Sequence, residues 1–130
     1  MSGALLDTSV LIALDQGGDV NLPESAAISI ITLGELHAGV LLAGNADTRA
    51  ARQARLAAVQ GTFEPLLVDR PVAQGYGEIL AAARRAARAE KATDLLIIAT
   101  AAATGRTLHT RDARQASLAE LASVPVVHVS

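Results

Sequence analysis

The 130-residue chain contains no cysteine and no tryptophan, and only one phenylalanine and one tyrosine. The missing thiols exclude a disulfide framework and a thiolate zinc site, and are compatible with a reducing compartment. The shortage of aromatics argues against a platform that stacks nucleic-acid bases. The start, MSGALLDTSV, lacks a basic segment and carries an acid inside its apolar run, so it does not read as a signal peptide. No apolar run is long enough to span a bilayer, so no membrane association is expected and the cytoplasm is the expected location. Net charge is −2, so overall charge gives no argument for a polyanionic partner.

What is present is apolar and helix-forming. Hydrophobic residues make up 51% of the chain, which argues against disorder and fits one domain over residues 1–130. Ten of the eleven Lys and Arg residues fall in three clusters: Arg49, Arg52 and Arg55; Arg84, Arg85, Arg88 and Lys91; Arg106, Arg111 and Arg114. Solvated helix faces explain them most simply, with a phosphate-contacting rim as the alternative.

Short apolar runs alternate with helical patterns. Strands are expected at residues 4–6, 26–31, 66–68, 107–110 and 124–129. Helices are expected at 8–15, 33–42, 46–60, 71–90 and 95–104. Pro71 suits the first turn of its helix, and Gly105 closes the last. This alternation implies an α/β fold with a mostly parallel sheet covered on both faces. Sites in such sheets form at the carboxyl ends of the strands.

Four acids map to that edge. Asp7 follows the first strand, Glu35 lies in the first turn after the second, Asp94 opens TDLLIIATA, and Asp112 follows TLHT. The helix after Asp94 travels roughly 16 Å away. The strand that follows returns by about the same distance, so Asp112 comes back to the level of Asp94. Each acid alone could be a helix cap. Asp7, Asp94 and Asp112 suit N-caps, and Thr32 with Glu35 suits a capping box. Together, four carboxylates repel one another unless a counter-charge is present. A hard divalent cation with oxygen ligands supplies one. Ser9 reads as a cap of the first helix. His37, His109 and His128 read as core or edge residues.

The ordered set LLDTSVLIAL, SIITLGELHAGV and TDLLIIATAAATGRTLHTRD resembles the PIN-domain ribonucleases, specifically the VapC-type toxins of bacterial toxin–antitoxin pairs. The resemblance covers essentially the whole chain. It implies a three-layer α/β/α Rossmann-like fold and an endoribonuclease dependent on Mg2+ or Mn2+. RNAs of the tRNA or rRNA class are the implied substrates. Asp7, Glu35, Asp94 and Asp112 would be the catalytic and metal-binding quartet, with Thr8 and Thr110 as supporting hydroxyls. A VapB-type antitoxin and a homodimer are the implied partners. The chain departs from the pattern after Asp112, where Ala113, Arg114, Gln115 and Ala116 supply neither the acid nor the Phe of many relatives. Asp112 is then the one candidate for the fourth position. Setting the quartet aside leaves nine acids against eleven Lys and Arg side chains, so the remaining surface is mildly basic. The competing reading is a catalytically silent PIN-like module that binds protein or RNA. A groove between the helix at 8–15 and the Leu-rich helix after Glu35 would serve either reading.

Overall fold

Side-chain alternation along the first strand sets the layering. Strand β1 (Ala4–Leu6) is fully buried, and its successive side chains point to opposite faces. Leu5 joins one hydrophobic core, whereas Ala4 and Leu6 join another. A computed structural model describes residues 3–17, 23 and 25–129. Its remaining strands are β2 (Ala26–Ala27), β3 (Thr107–Thr110) and β4 (Val126–His128), all parallel, in the order β2-β1-β3-β4.

Helices cover both faces. The Ala4/Leu6 side is packed by α1 (Thr8–Asp15), α2 (Ile30–Leu41) and α3 (Ala46–Thr62), through Val10, Leu11, Leu36, Val40, Leu56 and Val59. The Leu5 side is packed by α4 (Arg70–Arg85), α5 (Ala92–Thr104) and α6 (Ala113–Leu121). Helix α5 is apolar on nearly every side, with Leu95, Ile97, Ile98, Ala99 and Ala101 buried. That suits a helix lodged between the sheet and α4. Gly105, at φ 64°, closes it in the left-handed conformation that glycine adopts without steric cost. The expected three-layer α/β/α architecture is therefore present.

Several boundaries differ from expectation. The run at 26–31 is a strand only at Ala26–Ala27, because the Ser29 hydroxyl accepts from the Ile31 amide and starts α2 at Ile30. A local cap here outweighs β-branched propensity. The strand expected at 66–68 reduces to one parallel bridge between Ser29 and Leu66. Helix α5 begins at Ala92, three residues before its expected start, and α6 follows the N-cap expected at Asp112. Helix α4 ends at Arg85 rather than near residue 90, because Ala87 turns into the left-handed region at φ 57°. The VVHV run is partly exposed, as β4 lies at the sheet edge. Among the described residues, no helix is long and apolar enough to cross a membrane.

Candidate active site

The two central strands, β1 and β3, end side by side with Leu6 paired to His109. The next residues, Asp7 and Thr110, therefore meet at the carboxyl edge of the sheet. Asp7 is only 6% exposed, yet its carboxylate is well supplied with donors. Its Oδ1 accepts from the Ser9 hydroxyl at 2.5 Å and the Ser9 amide at 2.9 Å. Its Oδ2 accepts from the Thr110 hydroxyl at 2.5 Å. Both hydroxyls are fixed in turn by the following loop. Ser9 Oγ accepts from the Arg111 amide at 2.8 Å, and Thr110 Oγ1 from the Asp112 amide at 3.0 Å. Two side chains from distant parts of the chain thus clamp one carboxylate and tie it to residues 111–112.

The other acids gather around this clamp. Glu35 lies inside α2, where it accepts from the Thr8 hydroxyl at 2.8 Å. The expected Thr32–Glu35 capping box does not form, because Ser29 is the cap and Thr32 already lies within the helix. The Thr32 hydroxyl is buried and has no hydrogen-bond partner among the described residues. Asp94 occupies the first turn of α5 but is not its cap. The N-cap is Lys91, which makes no side-chain capping bond. Asp112 is the N-cap of α6, accepting from the Arg114 and Gln115 amides at 2.9 and 3.4 Å. Asp7 caps α1, so Ser9 serves the carboxylate rather than capping the helix.

The electrostatics tie the four together. Burial pushes the Glu35 carboxyl up from its ordinary 4.5, and the charges of Asp94 and Asp7 push the same way. The Thr8 bond and Lys91 oppose them. Burial likewise raises Asp94 above 3.8, with Asp112, Asp7 and Glu90 adding to it and Lys91 opposing. Lys91 is thus the cation that offsets both half-buried acids. As they stand, no three His, Asp or Glu side chains among the described residues close into a set that could hold a metal ion. The chemistry of the donors nonetheless fits a hard divalent cation. They are all oxygens, two are destabilised by desolvation and mutual repulsion, and ionised carboxylates keep further acceptor sites.

A groove of about 480 Å3 opens beside Glu35 between α1, α2 and α3. Thr8, Ile12, Leu36, Arg52 and Arg55 are among its lining residues. Arg52 donates to the Gly39 carbonyl at 2.8 Å and Arg55 pairs with Asp15 at 3.1 Å, so part of the first basic cluster is structural. His109 lies in β3 and His128 in β4; burial pushes His109 below its ordinary value. His37 is exposed on α2. Sequence reasoning missed Ser9 and Lys91 as parts of the site. The available signal for Ser9 was its place two residues after an acid that itself caps the helix.

The sequence model of the PIN domain family matches residues 4–121. The chain is a PIN-domain protein. Among its relatives, ribonuclease VapC8 of Mycobacterium tuberculosis is 43% identical over 100 residues, covering 75% of this chain and 88% of that protein. Ribonuclease VapC5 of the same organism is 34% identical over 131 residues, covering 98% and 96%. The crystal structure of VapBC-5, a member of the VapBC family of toxin–antitoxin systems from M. tuberculosis, superposes with a TM-score of 0.84. It is 36% identical and covers 98% of both chains. Within the PIN family, the chain accordingly groups with the VapC proteins.

Proposed function

We propose that this PIN domain is a Mg2+- or Mn2+-dependent endoribonuclease that hydrolyses phosphodiester bonds in structured RNA of the tRNA or rRNA class. It acts in the cytoplasm as the toxin of a toxin–antitoxin pair, and residues 1–130 form one domain. The observation that carries this reading is the carboxyl edge of the sheet, where Glu35, Asp94 and Asp112 surround a buried, doubly clamped Asp7. The names of the VapC relatives support the activity.

Asp7, Glu35, Asp94 and Asp112 would hold the cation. When bound, it supplies a water of lowered pKa and positive charge toward the phosphate. Ser9 and Thr110 orient the Asp7 carboxylate, and Thr8 orients Glu35. Lys91 offsets the acids as a polyanion approaches. The groove beside Glu35 suits a VapB-type antitoxin segment, whose seat there would cover one flank of the acids. The homodimer follows from the family resemblance.

The silent-module reading draws on one observation, that no three of these side chains stand at ion-holding distance. Cleavage of total RNA by the purified, antitoxin-free protein separates the two readings. The assay is run with Mg2+ or Mn2+, with EDTA, and with Asp7→Asn in parallel. The nuclease reading expects discrete fragments that require metal and disappear with Asp7→Asn. Intact RNA from folded, metal-supplied protein would favour the silent module. Undiminished cleavage by Asp7→Asn would remove Asp7 from the site.

A further inference from the structure

A second charged cluster lies behind the acids, and its center is Glu90. This side chain is only 3% exposed, yet it receives two arginines. Arg88 donates from Nε and Nη2 to Oε2, each at 2.8 Å, and Arg114 from Nε to Oε1 at 3.0 Å. The paired guanidinia hold the Glu90 carboxyl below its ordinary value despite the opposing effect of burial. Both arginines reach further. Arg88 Nη1 donates to Ser117 Oγ at 3.0 Å and Nη2 to the Arg114 carbonyl at 3.4 Å. Arg114 Nη2 donates to the Ala89 carbonyl at 3.2 Å, and Gln115 Nε2 to the Asp94 carbonyl at 3.2 Å.

Every one of these bonds lies within residues 88–94 and 114–117 or joins the two segments. Asp94 lies at the end of the first segment, and Asp112 stands two residues before the second. Helix α6 packs mainly on β3 and β4 and only lightly on α4, so these bridges are what register its start against the start of α5. The connector is also bent against its own preference. Ala87 takes a left-handed conformation that alanine disfavours by roughly 1–2 kcal/mol, and the cluster begins at the next residue. A buried carboxylate held by ion pairs is seldom the cheapest way to fill space, since apolar replacements are often neutral or stabilising. Its particular capability is directional registration of two backbones.

We propose that Glu90, with Arg88 and Arg114, is a positioning device that sets Asp94 against Asp112. The inference rests on the quartet reading given under Proposed function. In this chain the residue three after Asp112 is Gln115, not an acid, and it bonds to the backbone of Asp94. The α6 start is thus attached to the acid-bearing helix through an amide and an ion cluster.

The test compares wild type with Glu90→Gln, Arg114→Ala and Arg114→Lys. Arg114 is the milder second site, because its side chain is 68% exposed and Arg88 still pairs with the buried Glu90 in its absence. Four quantities are read: kcat and KM for RNA cleavage, Mn2+ affinity measured without RNA, and amide exchange at residues 92–96 and 112–116. Thermal unfolding checks the fold. The expected result is a loss of about 10- to 100-fold in kcat or Mn2+ affinity for Glu90→Gln and Arg114→Ala. KM for RNA stays unchanged, Arg114→Lys recovers part of the loss, and exchange is faster only at the two helix starts. Folded variants with wild-type kcat, Mn2+ affinity and exchange would overturn the proposal. If wild type itself neither cleaves RNA nor binds Mn2+, the nuclease reading fails. The exchange data then decide the positioning role alone: selective acceleration supports it and unchanged protection overturns it.

Discussion

Replacing Thr110 by valine isolates what the clamp on Asp7 contributes. Thr110 is fully buried, and valine keeps the branched shape while replacing the hydroxyl with a methyl group. The buried Asp7 carboxylate loses the donor at 2.5 Å on Oδ2. A hydrogen bond to a charged group contributes about 1.5–3 kcal/mol. The Asp112 amide also loses its acceptor, but it lies near the surface and water can replace part of that bond, so its share is taken as under about 1 kcal/mol. The sum is about 1.5–4 kcal/mol. Unfolding entropy of about 2.1 cal/mol/K per residue, over 130 residues, gives roughly 0.27 kcal/mol/K. The expected drop in Tm is therefore about 5–15 °C. The assay is thermal unfolding at neutral pH in EDTA, for Thr110→Val alone and in an Asp7→Asn background. Because a neutral hydrogen bond contributes only about 0.5–1.5 kcal/mol, the substitution should cost about 1 kcal/mol less beside the amide. A Tm drop under about 2 °C, or equal costs in the two backgrounds, would refute the claim that the hydroxyl supports the Asp7 charge.

Glu35→Gln and Asp94→Asn should each raise Tm at pH 7 in EDTA. Both carboxyls are raised in the fold above 4.5 and 3.8, so the folded protein binds more protons than the unfolded chain across that window and loses stability as pH rises through it. The gain of each variant should vanish below the ordinary carboxylate values. A variant less stable than wild type at pH 7 would contradict the assigned direction. Ala87→Gly should stabilise the protein by about 1 kcal/mol by relieving the left-handed alanine, seen as a rise in Tm of a few degrees. An unchanged or lower Tm would show that the turn carries no such strain.

The α/β layering was legible because short strand-like runs such as ALL and TLHT are separated by strong helical patterns. Ends set by single side chains were not. Ser29 starts α2 inside a run of isoleucines, and Lys91 starts α5 with no capping signal at all. Alanine-rich sequence through residues 86–90 reads as helix because alanine is the best helix former. The chain turns there through a conformation that propensity does not favour. For the site, the four acids could be placed at one edge because parallel architecture sends strand ends and helix starts there. Their partners could not. Ser9 and Thr110 meet the same carboxylate from positions 101 residues apart, and no local pattern encodes that meeting. Glu90 falls at the end of the helix expected at 71–90, although its side chain is buried between two arginines.

The acids divide into those the fold has satisfied and those it has left in tension. Asp7 is buried, and both of its oxygens have donors. Asp112 has two amides of its own helix. Glu35 has one hydroxyl, against burial and the charges of Asp94 and Asp7. Asp94 is not the cap of its helix, and burial and like charges raise it against the opposing charge of Lys91. A cation entering this edge would therefore gain most from Glu35 and Asp94, while the clamped Asp7 provides a fixed point for it. Relief of their repulsion would enter both ion binding and folding stability, because a ligand that binds only the folded state stabilises it. Mn2+ should accordingly raise the Tm of wild type by more than that of Glu35→Gln or Asp94→Asn. An equal rise in all three would mean that the ion binds elsewhere.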